Sequence, residues 1–154
     1  MNREILFRGK RVDNNEWVFG DLIRNLIYDG REKEMRIGDI YFEHNGDIHG
    51  TAVYKVIPET VGQYTGLTDK NGKKIFEGDI ISATALDTGK EQRAVVCFGN
   101  FIDENNNDEY IGFFIEFDGI KTTITQLSME ECKNRIEVIG NIYDNPELRE
   151  AYND

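Results

Sequence analysis

Residues 64–80 read YTGLTDKNGKKIFEGDI, and this stretch decides the fold class. The apolar runs at 64–67 and 74–76 flank Asn71-Gly72, a pair that suits a tight turn because both residue types tolerate a positive φ. Gly78-Asp79 marks another turn before the next apolar run. Short apolar runs separated by turn signals are typical of strands, so the fold is predicted to be mainly β.

The same pattern continues towards the C-terminus. Five more strands are predicted, at Ile80–Thr84, Arg93–Phe98, Tyr110–Phe117, Ile120–Leu127 and Ile136–Ile142. Ser128–Glu131 matches a capping box for a helix that ends near Asn134, and Asn145-Pro146 predicts a second short helix to about Tyr152. We therefore expect a small barrel-like C-terminal core with short helices near the C-terminus.

The N-terminal part is also rich in strand signals. Glu16–Ile23 is predicted to be one strand, and Met35–Phe42 with Ile48–Ile57 to be the arms of a hairpin around Asn45-Gly46. The spacing becomes more regular after Pro58. The chain is thus predicted to be a single unit of residues 1–154 with two possible lobes, a β-rich one at 1–58 and a barrel-like one at 59–154.

Composition limits the function classes. The chain has 18 basic and 29 acidic residues, a net charge of −11, which opposes non-specific binding to nucleic acids. No stretch is apolar enough to span a membrane, and the N-terminus leads directly into strand-like sequence, without the pattern of a secretory signal. With only Cys97 and Cys132, a disulfide framework is not indicated, so we expect a protein of the cytoplasm without membrane partners.

Residues typical of catalytic or metal sites are few. Across a two-residue turn at Asn45-Gly46, His44, Asp47 and His49 would share one face with Phe42, so they could ligate a metal or form an ordinary polar hairpin end; the second interpretation is favoured. The polar loop 103–109 lacks the glycine and glutamate of a calcium-binding loop. Without a nucleophile or phosphate-binding motif, we expect no catalytic residue, metal or cofactor.

Two basic clusters contrast with the acidic background. They are Arg8, Lys10 and Arg11, and Lys70, Lys73 and Lys74, with Trp17 and Tyr64 near them. Cations beside stacking rings are typical of single-stranded nucleic-acid binding, which makes these eight residues a candidate interaction patch. The alternative is structural, because charges on an edge strand or around a turn also block aggregation and stay solvated.

Three segments resemble the YopX family of small phage and prophage proteins. They are residues 7–20 (FRGKR with EWVFG), 59–80 (ETVGQYTGLTDKNGKKIFEGDI) and 137–148 (EVIGNIYDNPEL). The segments occur in the family's order and span almost the whole chain. The resemblance implies a phage- or prophage-encoded protein in the bacterial cytoplasm, and it implies no catalytic or binding residues. The shared motifs are interpreted as a fold signature.

These observations rank the possible functions. We expect a non-enzymatic module that binds another protein, of the host or the phage, or copies of itself. A nucleic-acid-associated protein that uses the basic clusters is the alternative, and an acidic surface that mimics nucleic acid is a variant of the first hypothesis.

Overall fold

The computed structural model describes residues 4–27, 33–42, 48–50, 52–84, 89–124 and 134–149. Antiparallel strands dominate these residues, which confirms the mainly β prediction. The chain divides into two compact units, Met1–Tyr64 and Thr65–Asp154, which we describe separately. Among the described residues, no helix has the length and apolar character that crossing a membrane requires.

The first unit is built on a twisted antiparallel sheet. Its strands are β1 (Phe7–Lys10), β2 (Trp17–Ile27), β3 (Lys33–Gly38), β4 (Ile40–Phe42), β5 (Ile48–Gly50), β6 (Tyr54–Lys55) and the beginning of β7 (Gly62–Thr68). The strand order is β6-β3-β2-β1-β7, and β4 and β5 form a separate pair. A single 3-10 turn at Pro58–Thr60 precedes β7. Strand β1 therefore lies inside the sheet, and the edge-strand interpretation of Arg8 and Lys10 is wrong.

Close packing explains why β1 contains Gly9. A Cβ atom at this position would lie 3.1 Å from Ile37 Cδ1 and 3.2 Å from Val56 Cβ. Ile37 and Val56 are themselves fully buried. Only a glycine lets the two β-branched side chains close over β1, so the FRGK segment is a packing requirement of this unit.

The hairpin predicted around Asn45-Gly46 has a different register. Strands β4 and β5 pair Tyr41 with His49 and Phe42 with Ile48, whereas a two-residue turn would pair Phe42 with His49. A one-residue shift moves every following position to the other face of a strand. The predicted pairing of Phe42 with His49 is therefore wrong, and His44 and Asp47 lie outside the described residues.

The second unit contains a five-stranded sheet. The strands of this unit are the remainder of β7, then β8 (Lys74–Phe76), β9 (Asp79–Thr84), β10 (Glu91–Asp103), β11 (Asp108–Phe117), β12 (Ile120–Thr123) and β13 (Glu137–Asn141). The sheet order is β12-β11-β10-β9-β13, and β7 pairs with β8. Branched aliphatic side chains fill its core: Ile75, Ile81, Val96, Ile115, Ile124, Ile136 and Val138.

The expected barrel does not close among the described residues. Strand β12 pairs only with β11, and β13 only with β9, so the two edge strands of the sheet do not meet. Curvature is instead concentrated in one long hairpin, β10–β11, whose end folds back towards β12. A mainly β core is therefore confirmed, and barrel closure is corrected to an open, curled sheet.

Two buried carboxylates explain the stretch at 64–80. Asp69 Oδ1 accepts hydrogen bonds from the amides of Asn71 and Lys73, and Oδ2 accepts one from the amide of Val138. Burial alone would raise the pKa of Asp69, but these three N–H groups hold it below its ordinary value. Asp79 similarly accepts the amide of Phe76. The aspartates thus order the turns and attach one of them to β13.

The described residues of the two predicted helices contain a 3-10 turn and one short helical piece. Pro146–Arg149 is a single 3-10 turn, in which the amide of Leu148 donates to the carbonyl of Asn145. The first predicted helix lies mostly outside the described residues, and only Asn134 and Arg135 are seen, in helical conformation.

Candidate functional site

The far half of the β10–β11 hairpin is the most distinctive surface of the second unit. We call it the distal ribbon, defined as Phe98–Asp103 of β10 paired with Asp108–Phe113 of β11. Strand β9 pairs only with residues 91–95 of β10, and β12 only with residues 114–117 of β11. Among the described strands, the distal ribbon is therefore two-stranded.

The distal ribbon is sharply bent. Phe101 pairs with Tyr110, four residues along β11 from Phe114, a distance of about 13 Å on a straight strand. The rings of Phe101 and Phe114 are nevertheless stacked with centroids 4.6 Å apart. Between these positions lies the pair Gly99–Gly112, which adds no side chain on this face. The stacked rings therefore show that the ribbon bends between these positions.

A buried carboxylate fastens the bent ribbon to β12. Asp103 Oδ2 accepts hydrogen bonds from the amide of Thr123 (3.0 Å) and the hydroxyl of Thr122 (3.2 Å). Its Oδ1 accepts the amide of Asn105, and the amide of Glu104 donates to the carbonyl of Lys121. The Thr123 amide is the main reason that the pKa of Asp103 lies below its ordinary value, against the effect of burial.

The bend gives the ribbon a concave and a convex face. Strand alternation places Phe101, Asp103 and Tyr110 on the concave side, and Phe98, Ile102 and Ile111 on the convex side. The convex side chains are 50%, 50% and 78% exposed. Asn100 faces Ile111 across the ribbon, so Ile111 is the diagonal neighbour of both other residues, about 7–8 Å away. We call Phe98, Ile102 and Ile111 the apolar stripe.

The charge within the segment that carries the stripe has one sign. Residues 97–113 contain no lysine, arginine or histidine, but four acidic residues. Of these, Asp103 is buried, and Glu104, Asp108 and Glu109 are exposed. Glu109 pairs with Ile102 and lies on the stripe's own face. The stripe is thus apolar with an acidic border.

A cavity of about 850 Å³ adjoins the ribbon. Its lining combines apolar, amide and charged side chains, including Ile102, Tyr110, Asn107, Glu104 and Lys121. The Lys121 ammonium lies 5.7 Å from the centroid of the Phe114 ring. This lining favours a binding surface over a catalytic site, because catalysis would need a nucleophile or an acid–base pair within hydrogen-bonding distance.

The first predicted basic cluster lies in the first unit, around Trp17. The Arg8 guanidinium lies 4.7 Å and the Lys10 ammonium 5.7 Å from the centroid of the Trp17 ring. The pairs Lys10–Trp17 and Arg8–Phe19 place these side chains on one face of the sheet. Arg8 is only 7% exposed, and Tyr64 is buried as well. The structure therefore brings cations and rings together, with most of the guanidinium covered.

Acidic neighbours engage other predicted cations. Arg11 lies over the Tyr54 ring and forms a two-point contact with the carboxylate of Asp13. In the second unit, Lys70 forms an ion pair with Glu137. Lys73 is exposed and Lys74 half-buried at the turn ordered by Asp69. A single patch made from both clusters stays a prediction.

Neither a metal site nor a reactive thiol emerges from the described residues. They contain no cluster of three or more histidine, cysteine, aspartate or glutamate side chains that could hold a metal ion. Burial, with help from Glu116 and Glu77, raises the pKa of Cys97 to about 11, so this thiol stays protonated at neutral pH. Cys132 lies outside the described residues.

The apolar stripe is not predicted from the sequence. The predicted strands end at Phe98 and begin again at Tyr110, which places Ile102 in the connection between them. A signal was present, because Phe98, Asn100 and Ile102 alternate with Gly99 and Phe101. What could not be read is which face of the alternation would be covered.

Comparisons with known proteins place the chain. The crystal structure of protein EF1440 from Enterococcus faecalis has a similar fold, with a TM-score of 0.59, 24% identity, and coverage of 97% of this chain and 100% of that chain. A search of curated proteins found no match. The family model described as YopX protein matches residues 6–150. This match covers nearly the whole chain, and the chain therefore belongs to the YopX family.

Proposed function

We propose that this protein is a non-enzymatic protein–protein interaction module, acting for a phage or prophage in the bacterial cytoplasm. The observation that carries the proposal is the apolar stripe on the convex face of the distal ribbon. Large aliphatic and aromatic side chains grouped on an exposed face are typical of contact surfaces, whereas single exposed apolar residues are common everywhere. The resemblance to phage and prophage proteins supports the setting.

The chemistry of the described residues favours binding over catalysis. Asp69 and Asp103 are buried carboxylates with lowered pKa values. Their oxygens accept hydrogen bonds from backbone amides of the fold. Cys97 has the raised pKa of a covered thiol. An ionised carboxylate whose oxygens accept backbone amides supplies no proton, and a protonated thiol is a weak nucleophile at neutral pH.

The test is size-exclusion chromatography with light scattering, on the pure protein and after mixing with a lysate of a bacterial lysogen. We expect a defined oligomer or a retained protein that disappears in Ile111→Ser. Val12→Ser is the matched control, because Val12 is similarly exposed but belongs to the first unit. A strict monomer that retains nothing would refute the proposal.

Nucleic-acid binding is the second candidate, and the contacts around Trp17 favour it. The half-buried indole of Trp17 would stack on a base, and the Lys10 ammonium beside it would contact a phosphate. Burial of Arg8 and the ion pairs of Arg11 and Lys70 reduce the free positive charge. Titration of a fluorescent single-stranded oligonucleotide at low salt, with Lys10→Gln as the variant, separates this candidate from the first.

A further inference from the structure

We infer that the apolar stripe docks a basic, amphipathic segment of another protein, in which apolar side chains alternate with lysine or arginine. The inference rests on the interaction role proposed above and names the chemistry of the partner. It is drawn from the geometry of the stripe and the charge of its border.

The geometry of the stripe fits alternating apolar side chains. Phe98 and Ile102 lie four residues apart on the same face of β10, with Asn100 between them. Ile111 lies opposite Asn100 on β11, diagonal to both. Phe113 packs edge-on against Phe98, with centroids 5.0 Å apart, and continues the surface towards the core. An extended segment places alternate side chains on one face, so its apolar residues would meet the stripe along its length.

The charge of the border favours a cationic partner. Within the described part of the chain, Glu104 and Glu109 form no ion pair, and the 97–113 segment supplies no cation of its own. Lys121, near the same cavity, lies over the Phe114 ring. Lysine or arginine side chains of a partner would meet carboxylates that form no ion pair among the described residues. Complementary charge of this kind speeds association and selects partners.

The same charges disfavour other occupants. A second copy of this chain would bring the same acidic border against itself, and each copy carries a net charge of −11. Like charges placed opposite one another in an interface oppose binding. Nucleic acids and anionic lipid surfaces would be repelled for the same reason.

The test uses synthetic peptides and the full chain. The probe is a fluorescent peptide of alternating lysine and valine, compared with peptides in which glutamate replaces lysine or serine replaces valine. Binding is measured by fluorescence anisotropy, and its position by shifts of backbone amide signals in nuclear magnetic resonance spectra. We expect only the lysine–valine peptide to bind, and to shift the signals of Phe98, Ile102 and Ile111.

Variants locate the contact. Ile111→Ser and Phe98→Ser should each weaken binding of the lysine–valine peptide about tenfold, as truncation of a central apolar contact does. Glu109→Gln should weaken it and reduce its salt dependence, while Glu147→Gln, an exposed glutamate outside the ribbon, should not. Val12→Ser should leave the affinity unchanged. Far-ultraviolet circular dichroism establishes that each variant is folded.

Three results would overturn the inference. They are equal affinity in Ile111→Ser and Val12→Ser, equal affinity for the glutamate–valine peptide, and a dimer that Ile111→Ser dissociates. Failure of the docking site and failure of the proposed function are distinguishable. A lysate protein retained equally by the wild type and Ile111→Ser would refute this docking site while leaving the interaction role intact, whereas a strict monomer that retains nothing would refute the interaction role itself.

Discussion

The two halves of the β10–β11 hairpin have similar apolar sequences and opposite environments. Near the base of the hairpin, Val96 and Ile115 belong to the buried core. Two positions further along each strand, on the same face, Phe98 and Phe113 lie at its border, and beyond them Ile111 is largely exposed. The face is continuous, so burial is decided by what packs against it and not by the strand itself. The half without a covering layer is the half available for binding.

The largest expected effect separates these halves by stability. Ile115→Ala removes a buried side chain and leaves a cavity, so it should lower the free energy of unfolding by about 2–5 kcal/mol. Ile111→Ala removes the same atoms from an exposed position, where changes stay within about 0.5 kcal/mol. Urea unfolding followed by circular dichroism measures both. Equal losses would mean that the convex face is covered in solution, and would contradict the difference in environment between the two halves of the hairpin.

A smaller effect is expected at the bend between the halves. Gly99 has φ +151°, a conformation that side chains rarely adopt, whereas its partner Gly112 has no positive φ. A Cβ atom would find open space at both positions. Gly99→Ala should therefore cost about 1–3 kcal/mol through backbone strain, and Gly112→Ala about 0.5 kcal/mol or less.

Urea midpoints and the lysine–valine peptide give two independent measurements of the bend. If strain relaxes by straightening the ribbon, Gly99→Ala should also change peptide affinity, since the spacing within the stripe changes. Equal midpoints for the two alanine variants would show that φ at Gly99 does not hold the bend.

The sequence predicted much of this hairpin because its signals are local. Alternation between apolar and polar residues located β9 to β13, and the polar run 103–109 was recognised as the connection between two strands. The resemblance to the YopX family is confirmed. Each of these conclusions depends on neighbours within a few positions, where the physics of strands and turns is strong.

The features that the sequence did not predict all depend on distant residues. Asp103 lies in a run predicted to be a solvated loop, yet its carboxylate accepts hydrogen bonds from Thr122 and Thr123. Alternation within one strand cannot reveal such a contact. The prediction of barrel closure was wrong, because the number of strands does not determine which edge strands pair. Arg8 looked available, but its Trp17 contact and its burial follow from the order β2-β1-β7.

The smallest expected effect concerns the pH dependence of the ribbon's attachment. Hydrogen bonds from Thr123 and Asn105 lower the pKa of Asp103 in the folded chain. A carboxylate with a lowered folded pKa adds stability above its unfolded value, about 3.9, and this stability is lost as pH falls through the folded pKa. Asp103→Asn removes the titrating group, so unfolding free energy should fall less steeply below about pH 5 than in the wild type.

The matched control for this slope is Asp108→Asn, because Asp108 is the strand partner of Asp103 but is exposed. Urea unfolding from pH 7 down to about pH 3 should show a reduced slope only in Asp103→Asn, with the remaining acid sensitivity supplied in part by Asp69, whose pKa is also lowered. The affinity of Asp103→Asn for the lysine–valine peptide, compared with the wild type at pH 7, adds a structural readout at constant pH. If the Asp103 carboxylate holds the distal ribbon against β12, this variant should bind the peptide more weakly; an unchanged affinity would mean that the stripe keeps its shape through other contacts, such as the Phe101–Phe114 stack and the hydrogen bond from the Glu104 amide to the Lys121 carbonyl.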